Sequence, residues 1–489
     1  MAGCFCFAVC GIISPRLRTI IGNEQGRAAS FRRGESVVSA IFGTDGIRGR
    51  VPGELNASLA FRLGFSVGSM LWEEGETRPR VAVGQDPRSS SDMLEAAVVA
   101  GVCASGADAE RLSVVPTPAV SWYTRSHGLQ AGIMISASHN LYAYNGIKCF
   151  THEGRKLSER QEQRLQEQLG RTPAEREVTR PVGQVIPLTA DPVREYTDYL
   201  SGCVQTDLSR IRVLFDCANG AAAATVPRLI RCLDLNADLI FSAPDGENIN
   251  QNCGSTCPER LGEAVRRDGY DIGFALDGDA DRCIAVDETG AVMDGDRILL
   301  AVASHWASCG RLPERAVTAT VMSNLGLRES AQAHGIAVHT AEVGDSRVMR
   351  MMEQNGCRLG GEPSGHLIFR DYSMTGDGQL TAILLLETMA ETGSSASALR
   401  SMLHPWVQRM ENLPVSGAQK HRLLGRSSVL QAAERAREEL DGGRIVLRAS
   451  GTEDLIRILA EGRDADSVAR TMRTLTDAIR REAASCPDN

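Results

Sequence analysis

The chain has 489 residues, which at roughly 100–200 residues per domain predicts three or four domains rather than one core. Apolar residues make up 43% and charged residues 23%, a composition typical of globular proteins. The formal net charge is −8 and no run of Lys and Arg stands out, which argues against a nucleic-acid-binding protein. A site for an anionic substrate would therefore have to gather its cations locally.

The first 38 residues predict an extension rather than part of a folded domain. Residues 4–13 form an apolar run that is too short to span a bilayer, and no positive charge precedes it. Residues 16–39 mix five arginines with two glutamates, so we expect a disordered extension or a start placed too far upstream. An organelle transit peptide is an alternative that the two acidic residues disfavour.

The rest of the chain alternates apolar runs with polar loops and helical patterns, which is typical of α/β folds. We expect helices at residues 59–72, 93–105 and from 465 onward, and strands at residues 79–84, 132–135, 211–215, 271–276, 316–322, 444–447 and 455–460. Polar connectors near residues 171–184, 287–296 and 404–417 divide the chain into four pieces. The predicted domains span residues 39–186, 187–290, 291–405 and 406–489, three similar α/β domains followed by a C-terminal α+β domain.

A small-residue loop follows the predicted strand that ends at Ile135. It reads Ser-Ala-Ser-His-Asn and places Ser138 just beyond the carboxyl end of the strand, where open α/β sheets bind ligands. The side chains of Ser138, His139 and Asn140 can surround a phosphate with hydrogen-bond donors. From these residues alone, a polar turn between a strand and a helix is an equal alternative.

Three carboxylates alternate with small residues after the strand at residues 271–276. Asp277, Asp279 and Asp281 can converge only around a cation, because like charges repel one another. Oxygen ligands suit Mg²⁺, which is our prediction. An EF-hand is one alternative, with Glu288 at its twelfth position, but Arg282 stands where that loop requires glycine and a strand precedes it. A solvated acidic turn is the other alternative.

Two further loops carry groups that suit a phosphosugar. The loop at residues 447–453 combines Arg448, Ser450, Gly451 and Thr452, and Arg457 follows on the next strand. Backbone N–H groups and arginines of this kind form an anion cradle, although an ordinary hairpin with surface arginines is the alternative. The loop at residues 360–366 offers hydrogen-bonding and titrating side chains to a sugar, with a structural turn as its alternative. These side chains are Glu362, Ser364 and His366.

The segment at residues 42–49 places Arg48 between glycines, as a phosphate-facing arginine would be. A turn with a salt-bridged arginine is equally compatible with it. The 14 cysteines lack any C-x-x-C pair. We therefore expect reduced, mostly buried thiols and a cytoplasmic protein.

Taken in this order, the motifs resemble the α-D-phosphohexomutase superfamily over residues 41–462. The resemblance implies four domains around a central cleft, with Ser138 carrying the transferred phosphate. It implies that Ser138 and the three aspartates hold Mg²⁺, and that Lys148, Arg48 and His366 supply acid/base and charge-stabilising groups. The implied substrate-binding residues are Arg282, Glu362, Ser364, Arg448, Ser450, Gly451, Thr452 and Arg457.

Four segments are similar to the phosphoglucosamine mutase branch of that superfamily, at residues 244–250, 253–256, 321–327 and 343–345. This branch implies interconversion of glucosamine 6-phosphate and glucosamine 1-phosphate through a 1,6-bisphosphate, feeding UDP-N-acetylglucosamine synthesis. A homodimer is also implied, with no nucleic-acid or membrane partner. Pro363 and Ser346 depart from the branch, where Gln and Arg are usual. A phosphoglucomutase or phosphomannomutase, or an inactive phosphosugar-binding protein, are the alternatives.

Overall fold

The computed structural model describes residues 42–43, 46–169, 180–449 and 454–485. The extension expected at residues 1–38 lies outside this part of the chain, as does most of the connector expected at residues 171–184. Four separate sheets are present, and helices accompany each of them. This confirms the predicted mixed α/β fold with its smaller C-terminal part. Among the described residues, no helix combines the length and the apolar character needed to cross a membrane.

The first sheet has seven strands and carries the serine loop. Its central strands are parallel, and an antiparallel edge is added on one side. The strands in spatial order are β1 (Phe42–Gly43), β2 (Gly46–Arg50), β6 (Tyr144–Thr151), β5 (Ala131–Ile135), β3 (Arg80–Gln85), β4 (Asp108–Val114) and β7 (Val185–Ile186). The helices of this part are α1 (Ala57–Glu73), α2 (Ser91–Ala104), α3 (Thr117–Ser126) and α4 (Glu159–Leu169).

The packing of α1 on α2 explains a cluster of glycines in this part. A Cβ on Gly64 would lie 2.2 Å from the carbonyl oxygen of Val98, and one on Gly101 would lie 2.0 Å from that of Phe61. Only glycine lets the two backbones approach so closely. All five residues of β5 are buried, as expected of a strand covered on both faces.

The second sheet carries the aspartate loop. Its strands in spatial order are β12 (Val292–Met293), β11 (Cys283–Asp287), β10 (Ile272–Leu276), β8 (Arg212–Asp216) and β9 (Asn236–Ile240). Its helices are α5 (Pro192–Gly202), α6 (Ala222–Cys232) and α7 (Glu259–Asp268). Strand β10 is parallel to β8 and forms an antiparallel hairpin with β11, so the aspartates occupy a strand-to-strand loop.

The third sheet carries the predicted sugar loop between its last two strands. The strands in spatial order are β14 (Ala337–Ala341), β13 (Ala316–Thr320), β15 (Leu359–Gly361) and β16 (Leu367–Phe369). The helices are α8 (Gly295–Ser308), α9 (Leu325–Ala333), α10 (Asp345–Gln354), α11 (Gly378–Thr392) and α12 (Ala396–Ser401). Helix α11 is buried over its first 12 residues, which fits an apolar helix in the interior.

The fourth sheet corrects one sequence prediction. Its strands are β17 (Val407–Pro414), β19 (Leu455–Gly462) and β18 (Arg444–Ala449), with β19 in the centre. The sequence predicts two strands here and a polar connector near residues 404–417, which is the segment that contains β17. Its side chains are mostly exposed at the sheet edge, so it lacks the apolar alternation that marks a strand. The helices here are α13 (Gly417–Leu424), α14 (Ser427–Glu438) and α15 (Ala465–Ala484).

Candidate active site

Ser138 lies immediately beyond β5, where the sequence places it. Its side chain is fully buried, and its backbone has a φ of +53°, in the left-handed region that non-glycine residues rarely adopt. The hydroxyl Oγ donates a hydrogen bond of 2.5 Å to Oδ2 of Asp277, in the aspartate loop of the second sheet. The N–H of Ser138 donates to Oγ of Ser136 at 2.9 Å. The serine and aspartate loops therefore meet at the Ser138 hydroxyl.

The three aspartates form one buried cluster. A carboxylate oxygen of each lies within 4.8 Å of those of the other two. Oδ1 of Asp279 and Oδ1 of Asp281 are buried without a hydrogen-bond partner among the described residues. Burial, followed by the charges of Asp281 and Asp279, raises the pKa of Asp277 to about 8. Orphaned carboxylate oxygens in a buried cluster fit a bound divalent cation.

The EF-hand alternative is wrong. Strand β10 enters the aspartate loop and strand β11 leaves it, so neither flanking helix of that motif is present. Glu288, which would be its bidentate ligand, accepts hydrogen bonds from Ser397 instead, including one of 3.0 Å from the backbone N–H. The cluster is a loop site between two strands.

Lys148 connects the first sheet to the aspartate cluster. It lies on β6 and its ammonium donates to Oδ2 of Asp279 at 2.6 Å and to Oδ2 of Asp281 at 2.8 Å. Burial acts to lower its pKa, but the two carboxylates outweigh burial, and the pKa is raised. Lys148 therefore stays protonated. Arg48 lies on the neighbouring strand β2, opposite Gly146, and its charge acts on Lys148.

His366 occupies the space between the second and third sheets. Its Nε2 lies 3.1 Å from Oδ2 of Asp345 and accepts from the Gly376 N–H at 3.0 Å, while its Nδ1 lies 3.8 Å from Oδ1 of Asp281. Burial acts to lower the pKa of His366, but Asp345 and Asp281 raise it overall. Lys156 of the first part also contacts Asp345. The imidazole is thus held among two carboxylates.

The predicted sugar loop presents its carboxylate in a fixed orientation. Oε1 of Glu362 accepts from the N–H of Gly344 at 3.0 Å, and Oε2 accepts from Oγ of Ser364 at 3.3 Å. Burial, and then the charge of Asp345, raise the pKa of Glu362. The Glu362 carboxylate is therefore held by the backbone of Gly344 and by the hydroxyl of Ser364.

Arginines supply the positive charge of the site. Arg448 on β18 and Arg457 on β19 are directly opposite each other in the sheet. Burial, and then the charge of Arg457, lower the pKa of Arg448, while Glu362 acts in the opposite sense. The Arg282 N–H donates to Oδ1 of Asp277 at 3.1 Å. Two adjacent guanidinium groups favour an anion between or beside them. The predicted residues Ser450, Gly451 and Thr452 lie outside the described residues.

The structure also brings in side chains that the sequence analysis did not assign. Thr117 donates to Oδ2 of Asp279 at 2.5 Å. Lys156 and Asp345 form the ion pair beside His366, and Arg88 and Asn250 contact the serine loop. Arg88 could have been found, since an Asp-Pro-Arg loop follows the first apolar strand. The others are distant in sequence from the residues they contact.

The four sheets, and the serine loop that meets the aspartate loop, belong to a phosphohexomutase fold, because family models of that class match along the chain. Models of the phosphoglucomutase/phosphomannomutase family match nearly the whole described chain. The α/β/α domains I, II and III match residues 39–176, 194–290 and 294–405, and the C-terminal domain matches residues 410–478.

Curated relatives show which branch of the phosphohexomutases the chain resembles in sequence. A phosphoglucosamine mutase of Desulforamulus reducens is 42% identical over 431 residues, covering 87% of this chain and 96% of that protein. The phosphoglucosamine mutase of a Nocardioides species is 42% identical over 453 residues, covering 91% of this chain and 100% of that protein. The chain therefore belongs to the phosphoglucosamine mutase family, a family of isomerases.

Solved structures agree with this fold. A phosphoglucomutase/phosphomannomutase family protein from Burkholderia thailandensis superposes with a TM-score of 0.76 at 25% identity, covering 90% of this chain and 97% of that one. N-acetylphosphoglucosamine mutase from Aspergillus fumigatus has a TM-score of 0.63 at 15% identity, covering 90% of this chain and 96% of that one. At that identity the second likeness concerns the fold alone.

Proposed function

We propose that Ser138 carries the phosphate that this isomerase moves between the 6- and 1-positions of glucosamine. The observation that carries the proposal is the hydrogen bond of 2.5 Å from the Ser138 hydroxyl to Asp277, within a buried cluster of three carboxylates. Phospho-Ser138 donates its phosphate to the free hydroxyl of glucosamine 6-phosphate, which forms the 1,6-bisphosphate. The other phosphate then returns to Ser138, and glucosamine 1-phosphate leaves.

Asp277, Asp279 and Asp281, together with a phosphate oxygen on Ser138, are the proposed ligands of Mg²⁺. The two orphaned carboxylate oxygens and the all-oxygen donor set support a hard divalent cation. The Aspergillus fumigatus enzyme was solved with GlcNAc-6P and magnesium, which also supports this metal. Bound Mg²⁺ supplies positive charge to the phosphate oxygens.

Phosphoryl transfer depends mainly on positioning and charge stabilisation. Lys148 is held against Asp279 and Asp281 with a raised pKa, so it contributes a fixed positive charge, and Arg48 adds a second. His366 is the proposed proton carrier, because an imidazole can accept the proton of the reacting sugar hydroxyl and return it. The chain thus divides charge stabilisation and proton transfer between different side chains.

The substrate phosphate that is not being transferred is the proposed ligand of the arginine pair. Arg448 and Arg457 bind it, and the further proposed substrate-binding residues are Arg282, Ser450, Gly451 and Thr452. Glu362 and Ser364 bind the sugar hydroxyls. A variant of the Aspergillus fumigatus N-acetylphosphoglucosamine mutase was solved with glucose 1,6-bisphosphate. This supports a bisphosphate intermediate that reverses its orientation in the site between the two transfers. Either end of the sugar must then fit both phosphate sites.

We propose the same four domains as the sequence indicates, at residues 39–186, 187–290, 291–405 and 406–489. The four separate sheets and the four matched domain models support this division. A cytoplasmic location is supported by the ten cysteines of the described residues, which are all free. A homodimer is proposed from the family resemblance.

The experiment that tests the proposal replaces the nucleophile. Ser138→Ala should lower turnover by at least about 10⁴-fold, as removal of a catalytic nucleophile does elsewhere. Ser126→Ala, at an exposed serine of α3, is the matched control and should keep full activity. Initial rates with glucosamine 6-phosphate measure both. Substantial turnover by Ser138→Ala would contradict the phosphoserine mechanism.

A further inference from the structure

The backbone carbonyl of Ser138 accepts two hydrogen bonds that the phosphoryl-transfer chemistry does not use. Nη2 of Arg88 donates to it at 2.9 Å, and Nδ2 of Asn250 donates to it at 2.9 Å. The left-handed backbone of Ser138 is unfavourable for a residue with a Cβ and persists only where its surroundings hold it. These two donors are therefore candidates for holding it.

Arg88 lies in the loop after β3, a strand of the same sheet that carries the serine loop. Its side chain is fully buried, and its Nε pairs with Oδ2 of Asp86 at 2.8 Å. Its Nη1 donates to the carbonyls of Leu141 and Tyr144 at 2.7 and 3.1 Å. One guanidinium thus binds the carbonyls of Ser138, of Leu141 in the following loop and of Tyr144 at the start of β6, so it restrains the chain between Ser138 and β6.

Asn250 reaches the serine from the second sheet's side. It is the last residue of the segment 244–250, one of those that carry the family resemblance. Besides Ser138, its Nδ2 donates to the carbonyl of Asn140 at 3.0 Å, and its N–H donates to the carbonyl of Ala218 at 2.9 Å. The side chain is 5% exposed. Asn250 is therefore anchored in one part of the fold and hydrogen-bonded to the loop of another.

The aspartate loop packs on this junction. A Cβ added to Gly278 would lie 2.6 Å from the carbonyl oxygen of Ser138 and 2.9 Å from Nδ2 of Asn250. Gly278 separates two of the clustered aspartates, so the backbone of the proposed metal loop touches the Ser138–Asn250 contact directly. A shift of Asn250 would change the distance between the Ser138 hydroxyl and Asp277.

We propose that Asn250 is a positioning residue for the nucleophile, acting with Arg88 to hold the Ser138 peptide against the aspartate loop. The inference rests on the proposed function, since it gives Ser138 the role of phosphate carrier. Asn250 touches neither the sugar nor the transferred phosphate in this account. Its loss should therefore lower kcat and leave the KM for phosphosugars nearly unchanged.

The chain offers a matched control for the test. Asn252 lies in the same loop with a φ of +55°, close to the +58° of Asn250, but it is exposed. Asn250→Asp removes both amide N–H donors while keeping the shape and a residue type that tolerates left-handed backbone. Asn252→Asp adds the same negative charge in the same backbone conformation. The difference between the two variants isolates the contacts of the Asn250 amide.

We expect Asn250→Asp to lower kcat by about 100-fold, as a misplacement of reacting groups by about 1 Å does. The KM for glucosamine 6-phosphate should stay within about twofold of wild type. Asn252→Asp should keep wild-type kcat and KM. A kcat of Asn250→Asp within about threefold of Asn252→Asp would overturn the inference, as would a rise in KM that accounts for the whole loss.

Asn250→Gly and Asn252→Gly repeat the test without added charge, since glycine accepts positive φ at no steric cost. Melting temperatures of all four variants establish that the compared proteins are folded. Ser138→Ala separates this inference from the proposed function. An active Ser138→Ala would overturn both, whereas an inactive Ser138→Ala beside an unaffected Asn250→Gly would overturn the inference alone.

Discussion

The aspartate loop and the arginine pair both bring like charges together, yet they are stabilised in different ways. The three carboxylates of the loop are almost fully buried, and two of them, those of Asp279 and Asp281, already share the Lys148 ammonium. Arg448 and Arg457 are partly exposed and face each other across a sheet, where like charges are destabilising. The aspartate cluster would be stabilised by a further cation, and the arginine pair would be stabilised by an anion.

This difference indicates that the aspartate loop acts mainly on the chemical step and the arginine pair mainly on substrate binding. A buried, hydrogen-bonded cluster is preorganised, so its changes should affect the chemical step. A half-exposed pair of cations is screened by solvent and gains its full hydrogen bonding only with a phosphate, so its changes should affect binding. Substitutions on the two sides should therefore separate kcat from KM.

Between the aspartate loop and the arginine pair, the larger effect is expected in the aspartate loop. Asp279→Asn removes one charge while keeping the shape that accepts from Thr117. Loss of one charge-stabilising group should lower kcat by at least about 100-fold. The Mg²⁺ concentration for half-maximal activity should rise together with the loss of kcat. Titration of chelator-treated enzyme with Mg²⁺ measures both quantities.

The control for Asp279→Asn is Asp234→Asn, at an exposed aspartate with left-handed backbone, where asparagine fits equally well. It should leave the Mg²⁺ titration unchanged. A wild-type Mg²⁺ requirement in Asp279→Asn would exclude that carboxylate from the proposed metal site. It would also contradict the role given to the buried aspartate cluster.

A smaller effect of a different kind is expected at the arginine pair. Arg457→Ala removes charge-assisted hydrogen bonds to a phosphate, which are worth about 1.5–3 kcal/mol, so KM should rise roughly 10–100-fold. The kcat should change only a few-fold. Arg409→Ala, at an exposed arginine on β17 of the same sheet, is the control. An unchanged KM would exclude Arg457 from the phosphate site.

The smallest effect concerns Asp216, a buried carboxylate that forms no ion pair among the described residues. Burial raises the pKa of Asp216 to about 6, although the N–H groups of Gly254 and Ala218 donate to it and act in the opposite sense. An unfolded aspartate has a pKa near 3.9, so the neutral form favours folding. The resulting stabilisation, roughly 3 kcal/mol, is present below pH 4 and is lost as the pH rises through 6.

Asp216→Asn does not titrate and should not lose this contribution. The melting temperature of the variant minus that of the wild type should therefore rise between pH 4 and pH 7. Thermal melts at several pH values measure that difference, in which the other titrating groups cancel. A difference that stays constant with pH would show that Asp216 remains ionised in the folded protein.

The chemistry-bearing loops could be predicted from the sequence because each follows an apolar strand directly. Ser138 and the three aspartates are examples, and the expected strands before them agree with β5 and β10 within about one residue. Strand β17 could not be recognised, because an exposed edge strand shows no apolar alternation. Asn250 could not be assigned, because its partner lies 112 residues away and is a backbone carbonyl.

The departures at Pro363 and Ser346 do not place the chain outside its family. Curated relatives at 42% identity are phosphoglucosamine mutases. Pro363 contributes its carbonyl, which accepts from the N–H of Gly295 at 3.1 Å. Any residue type offers that acceptor, so proline can occupy the position without loss of the contact. The sequence alone could not separate a backbone role from a side-chain role here.

The most direct test of the central claim follows the phosphate on the protein. Incubation with glucosamine 1,6-bisphosphate should raise the intact mass by about 80 Da, and peptide mapping should place the phosphate on Ser138. Added glucosamine 6-phosphate should then remove it while the 1,6-bisphosphate forms. Continued turnover with Ser138 unmodified, or with the phosphate on another residue, would contradict the account.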